Sequence, residues 1–312
     1  MAVALVALVA SACMPPPPPP PDPVGPVPVV RNVAVGTHQY VFTDTSRGIA
    51  GPDGEAWWPE RPIPVSVWYP AQGEPGQVGA DLPPDRAQGP YPLVVFVHGF
   101  AVDPTYYSEL LQRIASAGYV VAAPTYPVLS GWPWGPSDQV GWSDLYPDTH
   151  FATTSILDLL SAGDPILGGL VDGARIAVAG HSDGALVAFG DGFEAWRNDP
   201  RVRAVISYAA LLAGSTTYQP NGRAFLHFAS DEDEYNDFKA TMDWDHANLA
   251  EPTWTMALWH ASHAPPYTDP ADPHFGLVVQ TTVDFLDAEL KGASGVPFWI
   301  DGFVHPDLGI FA

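Results

Sequence analysis

Between Arg175 and Phe189, a run of small and β-branched apolar residues enters Gly180-His181-Ser182-Asp183-Gly184, and a second apolar run with helical character leaves it. A strand that turns into a helix within five residues leaves almost no space at the bend. Gly180 and Gly184 let strand and helix approach closely and lift the Ser182 hydroxyl clear of the backbone. The turn therefore calls for a βα unit with a serine at the carboxyl end of a strand, where open α/β sheets bind ligands. A Gly-Ser loop in an ordinary βα connection has the same letters. The strand-like run before it and the helix-like run after it separate the two readings.

A serine is a weak nucleophile until a base takes its proton, and the base needs a carboxylate to orient it. Both residue types follow downstream at strand ends. Ala224 to Ala229 reads as a buried strand that stops in the acidic loop Asp231-Glu232-Asp233-Glu234, and either Asp231 or Asp233 fits the acid. Thr253 to Trp259 reads as another strand and ends in a loop with His260 and His263, both candidates for the base. Upstream, Tyr91 to Val97 reads as a central strand that ends in His98-Gly99-Phe100. A developing oxyanion needs two aimed N–H donors. Asp183, after the serine, and Phe100, in the first strand-to-helix loop, are the expected pair.

The remaining pattern alternates strands with helices. Val33–Thr43 and Ile63–Tyr69 read as a first antiparallel pair. Leu93–Val97, Val120–Ala123, Arg175–Ala179, Val202–Tyr208, Ala224–Ala229 and Thr253–Trp259 read as strands. Tyr106–Ala117, Thr153–Ser161, Ala185–Trp196, Asp237–Leu249 and Leu277–Leu290 read as helices. Such alternation predicts an α/β fold: a mainly parallel central sheet with helices on both faces.

These residues resemble the α/β-hydrolase superfamily. The likeness is closest to the branch that holds dienelactone-hydrolase-like, chlorophyllase-like and platelet-activating-factor-acetylhydrolase-like enzymes and bacterial cutinases and polyester hydrolases. Tyr91 to Pro127 carries it best, from Pro92-Leu-Val-Val-Phe-Val-His-Gly-Phe100 through Tyr106-Tyr107 to Gly118-Tyr-Val-Val-Ala-Ala-Pro124. Val65-Ser-Val-Trp-Tyr-Pro70, Phe228-Ala-Ser-Asp-Glu-Asp233, Ala261-Ser-His263 and the helix Val283 to Gly292 add to it, over residues 31 to 292. The resemblance implies an α/β-hydrolase fold and a serine ester hydrolase with Ser182 as nucleophile, His263 as base and Asp233 as orienting acid. It assigns the oxyanion donors to Phe100 and Asp183, and it requires no cofactor. Asp183 departs from the family pattern, because a carboxylate beside an oxyanion hole opposes negative charge there.

Composition narrows the partners. Twelve Lys and Arg stand against 35 Asp and Glu, for a net charge of −23. Nucleic-acid binding needs clustered cations and is not expected. Neutral or cationic substrates suit the field, whether small or polymeric esters. The acidic run from Asp231 to Glu234, with Asp237, offers oxygen ligands for Ca2+, though a solvated loop that supplies only the acid explains it as well. Trp132, Trp134 and Trp142 fall in a loop expected to overhang the site, as a substrate wall or as loop packing.

The first residues speak for export. Met1 to Ala12 is apolar, ends in Ala10-Ser11-Ala12 and runs into Cys13, which resembles the end of a bacterial lipoprotein signal. The segment has no Lys or Arg, so it reads as a truncated or degenerate signal. Cleavage after Ala12 by the ordinary secretory route is the alternative. Residues 13–30 are proline-rich and extended, a stalk or linker. Residues 31–312 are expected to form one α/β-hydrolase domain. The overall expectation is an extracytoplasmic esterase, secreted or held at the bacterial cell surface by lipidated Cys13. The rival is a surface-displayed binding protein that keeps the fold without the chemistry.

Overall fold

The computed structural model describes residues 31–50, 56–130, 144–212, 218–250 and 252–293, with the short strands Val304–His305 and Gly309–Phe311. The N-terminal signal, Cys13, the proline-rich stalk and Trp132, Trp134 and Trp142 lie outside these residues.

The sheet is built from β1 (Ala34–Asp44), β2 (Arg61–Ala71), β3 (Tyr91–Val97), β4 (Val120–Pro124), β5 (Val171–His181), β6 (Val202–Tyr208), β7 (Ala224–Ser230) and β8 (Thr253–Leu258). Their spatial order is β1-β2-β4-β3-β5-β6-β7-β8, with Val78–Ala80 outside β1 and Gly309–Phe311 outside β8. β1 pairs antiparallel with β2, and β2 antiparallel with β4. From β4 to β8 every pairing is parallel. Five main helices follow: α1 (Ser108–Ser116), α2 (Leu145–Ala162), α3 (Asp183–Phe193), α4 (Phe238–Asn248) and α5 (Phe275–Lys291). No helix among the described residues is long and apolar enough to cross a membrane.

Central strands covered on both faces should be apolar at every position, and β3 is buried along its whole length. Its residues divide with the strand's period of two. Leu93, Val95 and Val97 join a layer with Leu145 and Ile156 of α2 and Phe189 of α3. Val94 and Phe96 join the opposite layer with Leu110 and Ile114 of α1 and Phe285 and Leu286 of α5. Burying such side chains removes them from water on both sides, at about 1.5–3 kcal/mol for each large one.

The expected fold class is the observed one. Two boundaries differ for identifiable reasons. Helix α2 begins at Leu145 rather than Thr153, because Pro147 sits in its first turn, where a missing N–H has no intrahelical partner to lose. Asp148, which looks like loop composition, is fully buried and receives Arg61 Nε at 2.7 Å and Arg61 Nη2 at 2.7 Å, tying α2 to the start of β2. Strand β5 begins at Val171 rather than Arg175; Tyr91 pairs with Val171, and a register shift beyond Pro92 absorbs the polar residues between.

Candidate active site

Ser182 ends β5 and precedes α3 with φ 56° and ψ −124°, a left-handed conformation that costs a non-glycine residue about 1–3 kcal/mol. The surroundings hold it there: its N–H donates to the Tyr208 carbonyl at 2.9 Å. The flanking glycines are sterically required. A Cβ on Gly180 would lie 2.1 Å from the Gly184 oxygen, and one on Gly184 would lie 2.2 Å from the Val97 oxygen.

The loops after β7 and β8 meet beside this turn. His263 Nδ1 lies 2.8 Å from Asp233 Oδ2, and both side chains are almost fully buried. Asp233 Oδ1 also accepts the N–H groups of Tyr235 at 2.8 Å and Asn236 at 2.9 Å. Its Oδ2 accepts Asn236 Nδ2 at 3.1 Å. Burial pushes this carboxyl up, but the bonds from His263, Asn236 and Tyr235 outweigh it and hold the group below the usual carboxylate range. The carboxylate claims the hydrogen on Nδ1, so the lone pair of a neutral His263 lies on Nε2.

The alternative acid and base are elsewhere. Asp231 Oδ1 accepts the N–H groups of His260 at 2.6 Å and Ala261 at 3.3 Å, so it shapes the turn after β8. The His260 side chain is 77 % exposed and faces Glu232 at 3.3 Å. Glu234 Oε2 accepts the His263 N–H at 3.1 Å, and Asp237 caps α4 through the Ala240 N–H at 2.8 Å. The acids considered for Ca2+ thus engage separate partners, and no three His, Cys, Asp or Glu among the described residues converge in metal-binding geometry.

Ser182, Asp183 and His263 line one open cleft of about 510 Å³, with Phe100, Tyr106 and Tyr235 on its wall. Asp183 is the first residue of α3, so its N–H has no acceptor within the helix. The N–H of Phe100 belongs to the same peptide as the Gly99 carbonyl, and that carbonyl accepts His98 Nδ1–H at 2.8 Å. In a trans peptide the two groups point in opposite directions, so the His98 bond also aims the Phe100 N–H. His98 Nε2 in turn accepts the Tyr126 N–H at 3.1 Å. Burial holds His98 neutral, down to about 4, as these two bonds require.

Asp183 makes no ion pair among the described residues. Burial raises its carboxyl, and the neighbouring His263 offsets part of that. The positive end of the α3 dipole favours an acid in this turn. Glu234 belongs to the acidic run read from the sequence, but Asn236 is not among the residues the sequence points to. The signal for Asn236 is the Asp-x-x-Asn spacing after β7, which places its side-chain amide back onto the carboxylate.

A family model described as Chlorophyllase matches residues 82–214. That stretch contains His98 to Phe100 and Ser182, and ends before Asp233 and His263. Chlorophyllase-2 of Arabidopsis thaliana is 30% identical over 108 residues, 33% of this chain and 29% of that protein. Chlorophyllase-1 of the same plant is 32% identical over 101 residues, 32% and 28% of the two chains. The matched stretch thus spans under a third of either relative. The solved structure of a ferulic acid esterase from Streptomyces cinnamoneus superposes with a TM-score of 0.62 at 19% identity, covering 85% of this chain and 92% of that one. The serine turn between β5 and α3, the strand order and this superposition fit an α/β-hydrolase fold, and residues 82–214 are similar to the chlorophyllase family.

Proposed function

We propose that this protein is a serine ester hydrolase that works through an acyl-enzyme. Ser182 Oγ attacks the ester carbonyl while His263 Nε2 takes its proton, and Asp233 holds the imidazole in register and stabilises the imidazolium. The oxyanion is met by the N–H groups of Phe100 and Asp183. Collapse expels the alcohol, which leaves with the proton from His263. Water then gives its proton to His263, attacks the acyl carbon and frees the acid, and Ser182 recovers its proton. The observation that carries this reading is the 2.8 Å bond between His263 and Asp233 at a cleft that also holds a serine on a strained turn.

The substrates are neutral esters. The open cleft suits bulky acyl groups and polyester chains as well as small esters; Trp132 and Trp134, outside the described residues, are the further substrate-binding candidates from the sequence. The enzyme acts outside the cytoplasm, secreted or tethered through lipidated Cys13 and the proline-rich stalk, and it needs neither Ca2+ nor another cofactor. The second reading, a binding protein without turnover, is favoured by one observation: the Asp183 carboxylate lines the cleft and makes no ion pair among the described residues. A fluorophosphonate probe separates the two. Labelling lost in Ser182→Ala supports the hydrolase, and an unlabelled wild type supports the binder. A panel of p-nitrophenyl esters with a polyester film then ranks the substrates. Cys13→Ser, in a chain that carries a complete export signal, should release a tethered enzyme into the soluble fraction.

A further inference from the structure

Behind the cleft, the buried residues Tyr107 and His181 join three separate pieces of the site. The Gly99 N–H donates to Tyr107 Oη at 3.1 Å, and Tyr107 Oη lies 2.9 Å from His181 Nδ1. His181 Nε2 lies 2.9 Å from the carbonyl oxygen of His263. The directions are forced. A backbone N–H only donates, so the Tyr107 oxygen accepts from Gly99 and turns its own hydrogen to His181 Nδ1. A carbonyl only accepts, so His181 Nε2 carries the ring hydrogen. A single neutral tautomer satisfies every bond. Burial, with His263 close by, holds His181 neutral, down to about 3.

The packing is as constrained as the bonding. The rings of Tyr107 and His181 lie 5.4 Å apart, and those of His181 and His263 lie 4.7 Å apart. A Cβ on Gly99 would lie 3.1 Å from Tyr107 Oη and 3.3 Å from His181 Nδ1, so a larger residue would require the loop or this pair to give by a few tenths of an ångström. Gly99 is thus held from two sides, its N–H by Tyr107 and its carbonyl by His98.

We infer that Tyr107 and His181 are positioning residues that lock the oxyanion loop at Gly99–Phe100 to the base loop at His263 across Ser182. The inference rests on the ester-hydrolase reading above. In that reaction an oxyanion forms and collapses twice, once in acylation and once in deacylation. Each time, the Phe100 N–H and His263 Nε2 must hold their places relative to the same serine oxygen. Donors fixed beforehand need no reorganisation when charge develops. The two loops leave different strands and have no sequence proximity, so side chains must register them. Tyr107 and His181 do so with three directional bonds.

The test uses the full chain with Tyr107→Phe, His181→Leu, His181→Gln and the double variant Tyr107→Phe/His181→Leu. Active sites are counted by titration with a p-nitrophenyl phosphonate, and kcat and KM are expressed per titrated site. Affinity for an alkyl boronic acid, whose serine adduct places a negative oxygen in the oxyanion hole, is measured beside them. Tyr107→Phe and His181→Leu should each lower kcat by about 10- to 100-fold, less than the 10²–10³ seen when an oxyanion donor is removed outright. KM should stay within about twofold, and boronate affinity should fall in parallel with kcat. His181→Gln keeps a donor for the His263 carbonyl and should recover part of the loss. The double variant should be no worse than the poorer single one, because both cut the same chain of bonds. Unchanged kcat per titrated site, with only a lower Tm or fewer titratable sites, would reduce the pair to packing and overturn the inference. So would strictly additive losses. A wild type that titrates with no phosphonate at all would overturn the hydrolase reading itself, which separates the two failures.

Discussion

Two histidine–aspartate pairs of nearly the same geometry stand at opposite ends of the logic of this molecule. In one, His263 Nδ1 lies 2.8 Å from Asp233 beside the cleft. In the other, His227 Nδ1 lies 2.6 Å from Asp245 under the sheet, between β7 and α4. The difference is the second nitrogen. His227 Nε2 is capped by the Ala210 carbonyl at 3.0 Å, and the ring is fully buried, so no lone pair is offered to anything else. The loop around His263 is held through its backbone instead: its N–H by Glu234 and its carbonyl by His181. Fixing the backbone rather than Nε2 leaves a basic nitrogen for chemistry. A carboxylate partner alone therefore does not mark a general base; the state of the other nitrogen does.

The largest effects should come from dismantling the pair at the cleft. Ser182→Ala and His263→Ala should each fold and lower kcat on a p-nitrophenyl ester by about 10⁶, and Asp233→Asn by about 10⁴ through the wrong tautomer. If Asp231→Asn proves equally crippling, the acid is misassigned, since Asp231 here only shapes the turn at His260.

The buried pair should respond in stability and not in turnover. His227→Leu leaves Asp245 buried with Thr255, at 3.1 Å, as its remaining side-chain partner among the described residues. The cost should be about 3–5 kcal/mol, lowering Tm by roughly 6–20 °C with kcat per titrated site unchanged. A fall in kcat at constant Tm would erase the distinction between the pairs.

A smaller, charge-selective effect is expected at Asp183. Asp183→Asn keeps the backbone donor and nearly the same shape. Activity on a neutral ester should hold or rise, and relative activity on an ester carrying a carboxylate should rise several-fold. If the acid serves only the α3 dipole, stability should drop instead by about 0.3–1 kcal/mol, read as a lower Tm, with charge preference unmoved.

The smallest change concerns a third pair, His150 Nε2 with Asp191 Oδ1 at 3.1 Å. Burial pushes Asp191 up to about 7 despite His150, and its Oδ2 has no partner among the described residues. A carboxyl raised in the folded state favours folding only while protonated. Its stabilising contribution is complete below the ordinary carboxylate value and is lost as pH rises through about 7. Thermal melts should show the wild type losing Tm between about pH 4 and 7 faster than Asp191→Asn. Equal slopes would show that Asp191 is ionised in both states across that range.

Much of this arrangement is legible in the sequence. Gly180 and Gly184 announce the turn because no other residue fits between Val97, Gly180 and Gly184. The wholly apolar β3 announces a strand covered on both faces. What remained open were choices between close neighbours: Asp231 or Asp233, His260 or His263. Both members of each choice lie in one loop and share one local chemistry, and composition and periodicity do not separate them. The start of α2 was hidden by Pro147 and Asp148, which look like loop residues until Arg61 from a distant strand buries the acid.

The sequence by itself determined the sheet, its two covered faces, the serine turn and the order in which strand ends deliver an acid and a base. Those follow from local sterics and hydrophobic periodicity, which act within a few residues. Only the tertiary structure decided that Asp233 and not Asp231 reaches His263, that His227 Nε2 is capped while His263 Nε2 has no hydrogen-bond partner among the described residues, and that Tyr107 and His181 tie Gly99 to the base loop. Each of those outcomes depends on the direction of a hydrogen bond between groups far apart in the chain, and such a direction exists only once the strands that carry them are packed side by side.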